Sequence, residues 1–253
     1  MPASNYPRYS YPPAEIYRLA VDVLLGRHRD FRKDATACIG RLKPSLRVLG
    51  EANIPKTGPC VLTFNHYYRP GFNAWWMAFA IASVVPVEMY WIMTSELTFP
   101  GKFYAPLGMP ISRILLSRAG RMYGFTTMPP MPPRPGDVEA RARAVREVLS
   151  YVKKHRNAIL GLAPEGGDNP SEVLTWPPSG AGRFILLLAE AGLQIIPAGA
   201  YEADGAFCLG FGPQYRLEVP RGLPPAGKDR SAAEIVMRRI AAQLPDHLRG
   251  EFG

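Results

Sequence analysis

Cysteine is scarce. The 253 residues hold Cys38, Cys60 and Cys208, far apart and without Cys-x-x-Cys spacing, which supports neither a disulfide framework nor a zinc knuckle and fits a reducing compartment. Long apolar runs are missing too. The nearest approach to a membrane span, residues 74–87 (AWWMAFAIASVVPV), stops at Glu88 and contains Pro86, well short of the roughly 20 residues a bilayer requires. It reads as a buried helix leading into a strand, or as a helix lying at a membrane interface, where Trp75 and Trp76 would suit the headgroup level. The start, MPASNYPRYSYPP, has no basic region followed by an apolar run and a small-residue cleavage site. Secretion is therefore not expected, and the mature protein is expected to begin where the sequence does.

Several catalytic signatures are absent. No GxSxG elbow, GxGxxG turn, GxxxxGK[ST] loop or HExxH pair occurs, which counts against an ordinary hydrolase, a dinucleotide enzyme, a P-loop nucleotidase and a zincin. His28, His66, His155 and His247 lack ligand spacing, so neither a metal site nor a permanently bound cofactor is expected. No short repeat or Gly-X-Y period is present, which excludes collagen and solenoids.

What is present is loop-forming residues and positive charge. With 24 glycines, 27 prolines and 47% hydrophobic residues, the chain suits one large, loop-rich domain, or one domain with a small appendage. Its formal charge is +9, and residues 27–47 carry seven basic against two acidic side chains. Such a patch suits an anionic partner, either a membrane surface, nucleic acid or a phosphorylated small molecule. No helix-turn-helix, zinc finger or arginine-rich tail is evident, so nucleic acid has only generic basicity in its favour.

Periodicity and punctuation divide the chain into a flexible arm over residues 1–13, a helical hairpin over 14–49 and a main domain over 50–253. The hairpin comprises helices over 14–25 and 31–49, the second interrupted by Gly40 and Pro44. Residues 60–64, 87–94, 158–163, 194–198 and 217–219 read as strands. Helices are expected over 73–84 and 111–116, from an Asp137 N-cap onward, over 181–191 before Gly192, and after a Ser231-x-x-Glu234 capping box. Residues 128–135, MPPMPPRP, read as an extended loop. The alternation predicts an α/β fold: a mixed, partly parallel sheet flanked by helices and preceded by the hairpin, with binding residues beyond the strand ends.

Two segments beyond strand ends carry candidate chemistry. His66 follows the 60–64 strand beside Asn65, Tyr67 and Tyr68, where an imidazole could take a proton from a hydroxyl or serve as a hydrogen-bonded loop residue. Glu165 lies in Pro164-Glu165-Gly166-Gly167, where the glycines would let backbone approach a ligand or simply make a turn. Arg113, Arg118 and Arg121 could meet phosphates or face solvent. Trp75, Trp76, Phe79 and Ile81 could line an acyl channel or fill the core.

Taken in order, VLTFNHYYRPG at 61–71, LAPEGGDN at 162–169 and IIPAGAYE at 195–202 resemble the His-x4-Asp, Pro-Glu-Gly and late hydrophobic-proline blocks of the glycerolipid acyltransferases. WIMTSELTF and LPDHLRGEF add to the likeness, which spans roughly residues 50–250. The resemblance implies a 1-acylglycerol-3-phosphate acyltransferase-like fold and transfer of an acyl group from acyl-CoA or acyl-carrier protein to the hydroxyl of a lysophospholipid or related acceptor. His66 would be the general base, with Asn65, Glu165, Gly166, Gly167, Arg118 and Arg121 around the substrates and nearby amides facing the oxyanion. It also implies peripheral association with the cytoplasmic face of a membrane, with the basic hairpin toward anionic lipid. Two departures stand out. Gly71 occupies the place of the family's aspartate, with Glu88 and Glu96 as candidate replacements, and Gly167-Asp168 stands where Thr-Arg is usual. The first departure raises the alternative of an inactive, lipid-binding relative, and the second disfavours a simple phosphate monoester acceptor.

Overall fold

The structure, a computed structural model, describes residues 6–99, 101–131, 134–167 and 171–253. Its centre is a seven-stranded sheet in the order β1-β7-β6-β2-β5-β3-β4. The strands are β1 Arg47–Leu49, β2 Cys60–Phe64, β3 Tyr90–Thr94, β4 Thr126–Met128, β5 Ile159–Leu162, β6 Gln194–Ala203 and β7 Ala206–Phe211. From β6 through β2, β5 and β3 to β4 every neighbouring pair is parallel, whereas β7 runs antiparallel to β6 and parallel to β1. All residues of β2 and β5 are buried, as expected of parallel strands covered on both faces. The mixed sheet, flanking helices and N-terminal helical pair are the expected fold class.

The helices are α1 Pro13–Leu25, α2 Phe31–Ile39, α3 Trp75–Val84, α4 Ala105–Tyr123, α5 Val138–Lys154, α6 Ala181–Glu190 and α7 Pro225–Ala241. With the right-handed crossovers that parallel strands adopt, this strand order places α3 and α4 on one face of the sheet and α5 and α6 on the other. α2 packs on α3, α1 on α4 and α6 on α7. α3 buries Trp76, Met77, Ala80 and Ile81 in the core, so the interfacial reading of residues 74–87 gives way to the buried one. α1 buries no residue at all. Arg29 ties it to α2, meeting Glu15, Asp22 and Asp34 at 2.5–3.1 Å.

Several elements differ from expectation, each for a local or tertiary reason. The second helix stops at Ile39 against Gly40, and residues 47–49 pair with β7 instead. α4 extends well beyond 111–116 on both sides, with Pro106 in its first turn, where a missing N–H costs nothing. β7 is an added strand, joined to β6 through Asp204 (φ 52°) and Gly205 (φ 71°), a left-handed pair typical of two-residue hairpins. The short edge strand β4 is another addition. Residues 217–219 form no strand, although Tyr215 bridges Ile195. α7 begins at Pro225, which leaves Ser231 and Glu234 inside it, and the Asp137 side chain makes no capping bond. Residues 6–12 lie against the domain, with Tyr9 and Tyr11 on Trp76 at ring separations of 4.9 Å.

The α6–α7 contact depends on the absence of a side chain. A Cβ on Gly182 would lie 2.1 Å from the Asp229 carbonyl oxygen and 2.7 Å from the Ala233 nitrogen, both backbone atoms. Gly182→Ala is expected to cost about 1–3 kcal/mol despite its better helix propensity. Urea denaturation should show a lower midpoint with an unchanged slope.

Candidate active site

Because β2, β3, β4, β5 and the first half of β6 are parallel, their carboxyl ends share one edge of the sheet, where ligands of open α/β folds gather. β2 delivers Asn65 and His66 there. Asn65 is buried, and its side chain both donates to the Ala200 carbonyl (2.9 Å) and accepts from the Ala200 N–H (2.8 Å). That amide extends the β2–β6 ladder by one rung and is engaged by protein.

Glu165, just past β5, is buried against the same loop. One carboxylate oxygen accepts the His66 backbone N–H at 2.7 Å; the other accepts the Thr175 N–H at 2.9 Å and its hydroxyl at 3.1 Å. Burial pushes this carboxyl up to about 7, while the donors from His66 and Thr175 pull the other way. Gly166 has φ +72°, and a Cβ there would meet Met131 Cγ at 2.9 Å, so the turn needs glycine for its conformation and for its contact with the loop after β4. Its N–H donates to Ala163 at 3.1 Å and is thereby engaged within the turn. Gly167 also faces Met131. The structure therefore brings Asn65, His66, Glu165, Gly166 and Gly167 together, and adds Thr175 and Met131.

Gly71 is exposed with φ +81°, a conformation that an aspartate adopts only with strain. Its loop is held by a different carboxylate, Glu202 at the end of β6, whose side chain is 2% exposed. Arg69 grips Glu202 through Nε and through Nη2 at 2.8 Å, Tyr9 donates to it at 2.6 Å and Tyr67 at 3.2 Å. The Arg69 guanidinium also lies 4.0 Å from the centre of the Tyr6 ring, so the N-terminal arm closes over the loop after His66. Arg69 and Glu202 both fall within the recognisable blocks, but no local pattern pairs residues so distant in sequence.

Over 90% of this chain and 88% of the other, the structure matches that of the 1-acyl-sn-glycerophosphate (LPA) acyltransferase PlsC from Thermotoga maritima, with a TM-score of 0.54 and 14% identity. The fold is that of this acyltransferase. No protein-family model matches the chain, and no curated protein does.

On this acyltransferase fold the remaining expected residues lie elsewhere. Arg118 and Arg121 occupy the last turns of α4, roughly 20–24 Å along its axis from the end nearest the site, where the chain turns back to begin β4 at the opposite edge. Glu88 precedes β3 at that opposite edge and accepts the Arg32 N–H at 3.1 Å. Burial and the neighbouring Asp30 push it up to about 7. Glu96 follows β3 at the site's edge, gripped by Arg113 and by Arg134 at 2.8 Å. Burial raises its pKa, but the two guanidinium groups hold it below the ordinary value. Asp168 lies outside the described residues. Among the described residues no group of His, Cys, Asp and Glu could hold a metal ion.

The buried Glu165 has a thermodynamic signature. Its folded value of about 7 exceeds the ordinary 4.5, so between these values the native state holds a proton that the unfolded chain has lost. Stability should fall as pH rises through that window, by roughly 3 kcal/mol from this group. Glu165→Gln should flatten that part of the profile in urea denaturation at pH 5 and pH 8. Equal pH slopes in the two proteins would contradict the assignment.

Proposed function

We propose that the protein transfers an acyl group from acyl-CoA or an acyl-carrier-protein thioester to the hydroxyl of a lysophospholipid or related acceptor, at the cytoplasmic face of a membrane. The observation that carries this reading is the attachment of the His66 loop to Glu165 at the carboxyl edge of an acyltransferase fold. His66 takes the hydroxyl proton as the acceptor oxygen attacks the thioester carbonyl. A tetrahedral oxyanion forms, the carbon–sulfur bond breaks, and the departing thiolate receives the proton from the imidazolium. The products are an ester and a free thiol, with no acyl-enzyme. Glu165 acts through the His66 backbone and is a positioning residue. Arg113 and Arg134, gathered by Glu96 at the same edge, are better placed than Arg118 and Arg121 to meet an anionic substrate group.

Gly71 favours a second reading, a lipid-binding protein on the same fold without turnover. Purified protein with acyl-CoA and acyl-carrier-protein donors and a panel of lysolipids, read by mass spectrometry, separates the two. Under the catalytic reading, ester appears in step with thiol release, and His66→Ala lowers the rate about 10²–10⁴-fold while the fold is retained. Saturable lipid binding without product establishes the second reading. Equal turnover by a folded His66→Ala variant removes His66 from the chemistry.

A further inference from the structure

α4 and α1 leave apolar surface uncovered. Phe103, two residues before α4, is 95% exposed, and Leu107, Ile111, Ile114 and Leu115 on the helix are exposed too. At 100° per residue these four helical positions fall within an arc of roughly 100°, the width of a core-facing stripe, yet they face outward. Beside them α1 exposes Tyr17, Leu24 and Leu25. Between the two helices runs a groove of about 390 Å³ lined by Ile16, Leu19, Val23, Leu24, Leu115 and Ala119 among others, all apolar. Among the described residues no helix is long and apolar enough to cross a membrane.

The charges around this face select its occupant. Residues 97–136 contain no aspartate or glutamate; Arg113 and Arg134 share the Glu96 carboxylate, and the other cations of the stretch are Lys102, Arg118 and Arg121. Lys102 stands beside Phe103 at one end of the apolar face, and Arg118 and Arg121 follow Leu115 at the other. The carboxylates of α1, Glu15 and Asp22, are already paired with Arg29. A second copy would bring like charges together, whereas an apolar face bracketed by cations matches acyl chains beneath anionic headgroups.

We infer that α4, flanked by α1, is the membrane-anchoring element, lying in the interface of an anionic leaflet with Phe103 and the Leu107–Ile111–Ile114 row inserted. The basic turn between α1 and α2 and the start of α2 are less suited to this role, because Arg29 in the turn is occupied by three carboxylates and Arg32 in α2 by the Val85 carbonyl. α4 starts at the sheet edge that carries His66, so the anchored face brings the candidate site to the lipid. The inference deepens the peripheral-membrane part of the proposed function and rests on it.

The test is co-sedimentation of the full chain with phosphatidylcholine vesicles, with and without about one-third phosphatidylglycerol. Native protein should bind the anionic vesicles more tightly, and the combined Leu107→Ser, Ile111→Ser and Ile114→Ser variant about tenfold or more weakly. Val138→Ser, which removes an equally exposed side chain from α5, should bind as the native protein does. Circular dichroism and melting verify that the triple variant is folded. Triple-variant binding within about twofold of native overturns the inference, as does native protein that stays in the supernatant. A native dimer that the triple variant turns into monomer, without vesicle binding by either, overturns it in favour of a second copy. Docking through α4 without acyl transfer to any acceptor upholds the anchor and sinks the catalytic reading. Transfer to a soluble acceptor with docking indifferent to α4 does the reverse.

Discussion

A carboxylate buried beside two parallel strands has to find its hydrogen bonds across the sheet or stay protonated. Glu165 does both, taking donors from the loop after β2 and from Thr175 while burial keeps its proton on up to about pH 7. The loop bearing His66 is thereby fixed to the Pro-Glu-Gly turn, and the turn to the segment that leads into α6. Asn65 performs the same service toward β6. Three adjacent strands are thus stitched together at the edge where chemistry is expected, by side chains whose polar atoms would be costly to leave alone.

The glycine at position 71 has a structural counterpart in Arg69 and Glu202. With a left-handed backbone at Gly71, that position turns the chain, and the order of the loop comes from a nearly inaccessible carboxylate that receives an arginine and two tyrosines. One of those tyrosines belongs to the N-terminal arm. Residues 6–12 therefore act as a strap over the loop that follows His66, which gives a Tyr- and Pro-rich terminus a role in shaping the site.

Net charge alone gives an incomplete account of where an anionic partner would meet the protein. Seven basic residues cluster over 27–47, but the folded chain draws Arg29 and Arg32 into internal contacts that hold α1 and α2 in place. The acid-free stretch around α4 is less dense in cations, yet its charges bracket exposed apolar side chains. Charge beside apolar surface distinguishes a face suited to a membrane from one that is merely well solvated.

The central architecture was legible because its signals are local. Short apolar runs ending at His66 and at Pro164, helices with regular apolar faces, and a glycine after α6 lead to an α/β sheet with its loops at one edge, and the ordered blocks lead to the acyltransferase likeness. The Asp204-Gly205 hairpin is also written locally, as a two-residue left-handed turn between paired strands. Residues 47–49 could not be assigned in isolation, since their strand exists through pairing with β7, a partner over 150 positions away. The same holds for the site. Sequence determined that a histidine and a glutamate follow buried strands; only the tertiary structure decided that they share an edge, that Arg118 and Arg121 lie at the other end of α4, and that Glu202 organises the loop. Strand direction and long-range ion pairing set those relations, and neither is encoded in the spacing of neighbouring residues.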